Sequence, residues 1–530
     1  MSKILFEIEG GNPVSIECNP GDNLLELARR ANVAIDAPCS GNGSCGKCRV
    51  KLVEGELESL KSRHISEEEW ALGWRLSCNS KVVGDATVFV PDIASAYQSR
   101  MKTADLSTGK EVAIFEELQE NLKAAGVDFS NDLMALDLVM AEPTLDDTMP
   151  DVERLEWAVK AAVEVEFVRI PFAVMVKLAS TLREHNFHVC VKGRKTLDTF
   201  HCMDICAPED TLILGCAIDI GTTTVSMVLV DMQSGKILAK GSSGNGQIRY
   251  GADVINRIIE QSRQGGKKKL QDAIVKETLV PVMANLCKSI GANARSILQL
   301  CIGSNTTMNH LLLGVDADPV RMEPYIPSFF GWEGLLAGDL KLPAHPLAPV
   351  LIAPNIGSYV GGDITAGTLA SGIWDKDEMS LFIDLGTNGE LVFGNRDFLM
   401  SCACSAGPAF EGGDISSGMR ATDGAVEACT IDKDTMEPTL DIIGDPGQKV
   451  VGICGSGIID MISELFRCGI INARGLFARE GKRILRDAHG MGRYVVAFPE
   501  ESETGREISL NEVDIDNFIR AKGAIFSAID

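Results

Sequence analysis

A chain of 530 residues with 50 basic and 74 acidic side chains carries a formal charge of -24 and a pI near 4.8. That length is too great for one core and predicts three or four units of about 100 to 200 residues, while the charge argues against nucleic acid, whose phosphates it would repel. No apolar run reaches the roughly 18 residues of a membrane span, and Met1 to Gly10 has neither the basic nor the apolar stretch of an export signal, so the sequence reads as soluble, acidic and cytoplasmic, with no membrane partner.

At the N-terminus, "KILFEIEG" and "VSIECNP" predict a hairpin, "NLLELARRAN" a helix and "ATVFVP" a closing strand. Between them lies "APCSGNGSCGKCRV", then "RVKLVEGELESL", a polar helical stretch "ISEEEWALG" and "WRLSC". The cysteines are Cys39, Cys45, Cys48 and Cys78, three in one loop and one distant. In a compartment that keeps thiols reduced, such a cluster points to metal rather than disulfides. A zinc ribbon wants two short Cys-x2-Cys pairs. This spacing instead resembles the C-x4-C-x2-C…C pattern of plant-type [2Fe–2S] ferredoxins, with one extra residue in the first gap as in the adrenodoxin-type variant. Gly41, Gly43 and Gly46 would let the backbone wrap the cluster and aim amides at its sulfurs. A β-grasp ferredoxin domain is expected over residues 1–95.

Cys18 falls at a strand end, and Cys190, Cys216, Cys287, Cys301, Cys429, Cys454 and Cys468 lie in apolar segments, where cysteine behaves as a small hydrophobe. They are expected in the core. Cys202 with Cys206, and Cys402 with Cys404, are close enough for a second metal site, but each pair lacks a partner pair nearby. Residues 96–125 read as a linker. A small α/β middle domain follows over 126–206, built from the helical patterns "DVERLEWAVKAAVEVEF" and "PFAVMVKLASTLREHNF" and the strand "HVCVKG". His185 and His188 at its helix end are expected on a solvated face.

The stretch "CAIDIGTTTVSMVLVDMQSGKIL" predicts a buried strand ending at Asp219, a turn of Gly221, Thr222, Thr223 and Thr224, and a returning hairpin. Such a turn offers amides and hydroxyls to a phosphate, and the aspartate can hold Mg²⁺ through water. The arrangement returns in "LFIDLGTNGELVFGN", with Asp384, Gly386, Thr387, Asn388 and Gly389 in corresponding places and Glu390 as a candidate to orient water. No G-x-x-x-x-G-K-[ST] occurs. This duplication resembles the actin-like ATPase superfamily, in which two related halves clamp a nucleotide. "GGDITAGTLASGIW" is similar to that fold's connecting helix, its small residues allowing close packing at the hinge. The resemblance implies an actin-like ATPase domain over 207–530. The superfamily's adenosine-binding turn follows the second phosphate turn. Here the chain stops at "AKGAIFSAID", and the reading favours a domain continuing beyond it over "GICGSG", Gly452 to Gly457, serving as that turn.

Taken together, the [2Fe–2S] pattern, the middle domain and the two phosphate turns resemble the reductive activators of corrinoid enzymes, as do "GSNTTMNHLLLG", "SAGPAFEGGDISSGMRA", "GICGSGIIDMI" and "FIRAKGAI". The resemblance implies ATP-dependent, one-electron reduction of inactive cob(II)alamin to cob(I)alamin on a partner corrinoid protein, fed by a low-potential electron donor. Its cofactors would be a [2Fe–2S] cluster, ATP and Mg²⁺, and a homodimer is an open option. The glycine-rich segment Ser401 to Ala421, which follows the second phosphate turn, reads either as the loop that meets the corrinoid, with Ser405 or Glu411 offering an oxygen to the cobalt, or as an ordinary structural loop supporting the nucleotide cleft. Two other readings stay open at this point: an ATP-coupled electron donor to a non-corrinoid enzyme, against which the ferredoxin cysteines argue, and a non-enzymatic redox-sensing adaptor, which ATP hydrolysis stimulated by a Co(II) corrinoid protein would exclude.

Overall fold

The computed structural model describes residues 2–9, 13–31, 33, 35, 46, 48–62, 64–91, 109–129, 131–251, 253–386, 388–404, 407–411, 415–419, 421, 423–444, 447–487 and 489–530. Cys39, Gly41, Gly43, Cys45, Thr387 and Ser405 lie outside them.

The N-terminal unit is a five-stranded mixed sheet in the order Val14–Cys18, Ser2–Ile8, Ser80–Val90, Arg49–Ser59, Trp74–Leu76. Ser2–Ile8 runs antiparallel to Val14–Cys18 and parallel to Ser80–Val90. Helix Leu24–Arg30 buries Leu24 and Leu27, three residues apart on one face, in the cluster that holds Ile4, Phe6 and Val88. Asn23 accepts hydrogen bonds from the Leu25 and Glu26 amides and donates to the Cys78 carbonyl at 2.8 Å, so one side chain caps the helix and anchors the turn Ser77–Asn79.

Of the segment expected as a linker, Gly109–Ala124 forms a helix. The middle unit is a four-stranded sheet ordered Leu133–Val139, His188–Thr196, Thr199–Cys206, Phe167–Arg169. Helices Asp151–Val163 and Phe172–Glu184 bury Leu155, Val159, Leu178 and Leu182 against its Val189, Val191 and Ile205. His188 bonds Asp137 at the surface at 2.7 Å, and His185 ends its helix.

The next sheet runs Ile237–Gly244, Thr224–Asp231, Leu214–Ile220, Ile297–Ser304, Val350–Ile352. Leu214–Ile220 pairs antiparallel with Thr224–Asp231 and parallel with Ile297–Ser304. Helices Gly266–Ile274 and Val280–Ser289 cover its inner face through Leu270, Ile274, Met283 and Leu286. Helix Gly362–Ser371 then leads to the meander Ser380–Leu385, Gly389–Gly394, Leu399–Cys404. Its small residues do permit a close approach: a Cβ on Gly367 would lie 2.6 Å from the Phe382 ring. Two further three-stranded sheets and the helices Gly455–Arg467 and Glu512–Ile529 surround a separate core.

Cys301 departs from the expected core position. The alternation of strand Ile297–Ser304 turns Leu300 and Ile302 inward, and Cys301 is exposed. Cys402 is also exposed, while Cys202 is buried. Among the described residues no group of three or more His, Cys, Asp or Glu is arranged to hold a metal, so neither cysteine pair gains the ligands a second site would need.

Candidate functional site

Asp219 and Asp384 each occupy the penultimate position of a strand, Leu214–Ile220 and Ser380–Leu385, and both line one cleft of about 570 Å³. Gly221, Thr222, Thr223 and Thr224 enter it from one side, Gly386, Asn388 and Glu390 from the other. Gly389 lies behind the second turn, where a Cβ would meet Cys404 Sγ at 2.7 Å.

The first turn is held from the side away from the cleft. Ser304 Oγ donates to the Ile220 carbonyl at 2.8 Å, and Asn245 Nδ2 to the Gly221 carbonyl at 2.8 Å. The buried Arg257 guanidinium donates to the Thr222 carbonyl, and the Asn245 amide to that of Thr223 at 2.9 Å. In a planar trans peptide the N–H points opposite to the C=O. Fixing the first three of these four carbonyls backward therefore turns the N–H groups of Gly221, Thr222 and Thr223 toward the cleft, an arrangement suited to an anion. The tightness of the turn requires Gly221, whose Cβ would lie 2.9 Å from the Thr224 carbonyl oxygen.

Two cleft residues were not assigned a role from sequence. Asp363 sits in the first turn of helix Gly362–Ser371. That helix starts hard against the ends of strands Ile297–Ser304 and Val350–Ile352, because a Cβ on Gly361 would lie 2.3 Å from Asn305 Cα and one on Gly362 2.2 Å from the Ala353 carbonyl oxygen. The Gly362 amide donates to Asn355 Oδ1 at 3.1 Å, and Asn309 holds the same oxygen at 2.9 Å. Asn305 caps helix Thr306–Leu313 through the Met308 amide at 2.9 Å and donates to the Thr222 hydroxyl at 3.2 Å. The capping pattern of "SNTT" marks Asn305 in the sequence. The acidic residue after a glycine pair is the signal for Asp363.

Carboxylates crowd this cleft. Asp219 is open to it but walled by protein, and the lost hydration, followed by repulsion from Asp363 and Asp384, pushes it up to about 7. Asp363 is raised to about 6, chiefly by burial, with Asp384 adding to it and the Ile364 amide opposing. Such a site favours a cation that would relieve the repulsion. Since no three described carboxylates converge on one point, Mg²⁺ would be completed by water and phosphate oxygens, its usual habit. The "GICGSG" segment contributes no lining residue among those described; a Cβ on Gly457 would lie 2.0 Å from the Val426 carbonyl oxygen.

In the N-terminal unit, Cys48 Sγ and Cys78 Sγ lie 3.2 Å apart, both buried. That is far beyond the ~2.04 Å of a disulfide, and it brings together two thiols thirty positions apart in sequence, as a shared iron would require. Gly46 has φ +67, and a Cβ there would lie 2.5 Å from His64. The donor set and its enclosure fit an iron–sulfur cluster. Glu411 ends a short turn, Pro408–Glu411.

In chain order, residues 7–83 match the family described as the 2Fe-2S iron-sulfur cluster binding domain, 122–205 the RACo linker region, 214–376 the RACo middle region and 378–530 the C-terminal domain of RACo, the ASKHA domain. The corrinoid activation enzyme RamQ of Eubacterium limosum is 30% identical over 518 residues, which cover 95% of this chain and 79% of that protein. The [Co(II) methylated amine-specific corrinoid protein] reductase of Methanosarcina barkeri is 28% identical over 197 residues, 34% of this chain and 33% of that one. A solved structure, the reductive activator for corrinoid, iron-sulfur protein, superposes with a TM-score of 0.68 at 34% identity, covering 100% of this chain and 83% of that one.

Proposed function

The chain belongs to the family of corrinoid reductive activators, and from that premise we propose that it couples ATP hydrolysis to the one-electron reduction of Co(II) to Co(I) in the corrinoid of a partner protein. The observation that carries this reading is the single cleft faced by Asp219 and Asp384, in a chain that also brings Cys48 and Cys78 together. A [2Fe–2S] cluster on Cys39, Cys45, Cys48 and Cys78 would supply a one-electron carrier, refilled by a low-potential donor.

The division of labour follows from the site. The amides of Gly221 to Thr223, the hydroxyls of Thr222, Thr223, Thr224 and Thr387, and Asn388 bind phosphate oxygens. Asp219 and Asp384 orient Mg²⁺ and water. Glu390 holds the attacking water, and Asp363 adds charge that a bound cation neutralises. ATP is needed because each 59 mV of unfavourable potential costs about tenfold in a one-electron equilibrium. The segment Ser401 to Ala421, with Ser405 or Glu411 near the cobalt, is assigned to the corrinoid. The units fall at 1–95, 126–206 and 207–530, joined by 96–125, in a cytoplasmic protein.

The test is the absorbance of the cognate corrinoid protein in its Co(II) state, mixed with the loaded chain and a low-potential reductant. Co(I) should form on adding Mg-ATP and not before. Equal Co(I) without ATP would overturn the coupling. Ser405→Ala should alter the Co(II) spectrum while nucleotide binding stays the same, and an unaltered spectrum and rate would leave that loop as scaffold.

A further inference from the structure

The middle sheet buries the charged side chains of Lys192 and Asp204. Cys190 stands directly opposite Cys206, and Lys192 opposite Asp204, on the adjacent antiparallel strands His188–Thr196 and Thr199–Cys206. Lys192 is 2% exposed; its ammonium donates to Asp210 Oδ1 at 2.7 Å and to the Leu212 carbonyl at 2.9 Å. Asp204 takes a hydrogen bond from Lys177 and lies 3.6 Å from His345 of the following domain. Cys190 is buried, whereas Cys206 is part-exposed, its thiol reaching the Cys190 carbonyl at 3.5 Å and the Asp210 carbonyl at 3.4 Å.

We propose that Cys190 and Cys206 are a redox-active dithiol that closes to a cross-strand disulfide when the protein meets a low-molecular-weight disulfide. Directly opposed residues of an antiparallel pair have Cα atoms about 4.5–5.5 Å apart, inside the span of about 4.4–6.8 Å that a disulfide bridges. The surroundings also favour a thiolate. That thiolate rests on Cys190: a hydrogen bond from Cys206 draws the Cys190 thiol below its ordinary range and holds Cys206 above its own, burial opposes ionisation of both, and the Lys192 ammonium favours it.

The exchange begins at Cys206, the member that solvent reaches. As the proton shared by the pair passes to Cys190, the Cys206 sulfur attacks one sulfur of the small disulfide, the S–S bond breaks and one thiolate leaves. Cys190 sulfur then attacks Cys206 sulfur and expels the second thiolate. The dithiol's two electrons end on two small thiols; the proton held by Cys190 goes to the first leaving thiolate, and solvent protonates the second. Closure also removes the Cys206 S–H and with it the hydrogen bond it donates to the Asp210 carbonyl, loosening residues 207–213, which lead into the strand that carries Asp219.

The cluster-loaded full chain is treated anaerobically with oxidised glutathione, remaining thiols are alkylated, and peptides are mapped by mass spectrometry. Cys190 and Cys206 should leave the alkylated pool in step and appear as one crosslinked peptide pair, reversed by dithiothreitol, with faster amide exchange across 207–213. In Cys190→Ser the same treatment should trap glutathione on Cys206, and Cys202→Ser should leave the crosslink unchanged. Full alkylation of Cys190 while Cys206 carries glutathione, or a crosslink from Cys202, would overturn the proposal.

Discussion

Asp384 and Glu390 stand opposite each other across the pair Ser380–Leu385 and Gly389–Gly394, whereas Asp219, in the matching place of the first strand, faces Ser226. The cause is turn length. Residues 221–224 separate the paired Ile220 and Val225, but only 386–388 separate Leu385 and Gly389. The duplicated halves are thus chemically unequal, with a carboxylate pair on the second turn alone. Asp384→Asn should lower ATP turnover by more than it lowers affinity for the corrinoid protein, on the order of the 10²–10⁴-fold typical of a positioned acid or base. Glu390→Gln should lower turnover with little change in nucleotide Kd. Unchanged hydrolysis in Asp384→Asn would remove that residue from the mechanism.

The raised carboxylates predict a pH dependence. Asp219 and Asp363, at about 7 and about 6 in the folded chain, titrate near 3.9 when unfolded. Between those values the native state binds more protons than the unfolded one, so stability falls as pH rises from about 4 to about 7 and levels above that. Asp219→Asn should raise Tm at pH 8, by roughly 2–4 °C for each kcal/mol of strain relieved. Binding of Mg-nucleotide near pH 6.5 should release protons, seen as a heat that varies with buffer ionisation enthalpy, and Asp219→Asn should cut that release. A Tm that is lower in the variant at pH 8 would contradict the crowding argument.

Arg257 is fully buried and donates to the Gly251 carbonyl at 2.8 Å as well as to Thr222. A lysine cannot span both carbonyls with one ammonium. Arg257→Lys should therefore strand the Thr222 carbonyl, at about 1–3 kcal/mol, and weaken nucleotide binding by about tenfold per 1.4 kcal/mol. Equilibrium titration with a fluorescent nucleotide checks this; wild-type affinity would mean that the turn holds its shape without the guanidinium.

What was legible in the sequence was local. The spacing of Cys39, Cys45 and Cys48 and the two D-x-G-T turns are chemistry written within a few residues. What was not legible depends on packing between distant segments. Asp363 reaches the cleft because Gly361 and Gly362 let a helix start against Asn305 and Ala353, and Arg257 supports Thr222 across thirty-five positions. Cys301 was misplaced because its apolar neighbours suggested a core, while strand parity put it outside.

Asn305 joins both kinds of information, and its variants can separate them. Its Oδ1 accepts from the Met308 amide at the start of helix Thr306–Leu313, and its Nδ2 donates to the Thr222 hydroxyl. Asn305→Ala loses both bonds, so stability should fall by the ~0.5–2 kcal/mol of a lost cap, with weaker nucleotide binding. Asp is as good a cap as Asn, so near pH 5, where Asp219 and Asp363 are protonated, Asn305→Asp should keep the stability. It also replaces a donor beside Thr222 with a negative charge aimed at the place where phosphate binds, in a cleft already crowded by Asp219, Asp363 and Asp384. Nucleotide affinity in Asn305→Asp should therefore drop below that of Asn305→Ala although its melting temperature is higher. If affinity instead tracked melting temperature across the two variants, Asn305 would act only as a cap, and the contact to Thr222 would carry no part of phosphate recognition.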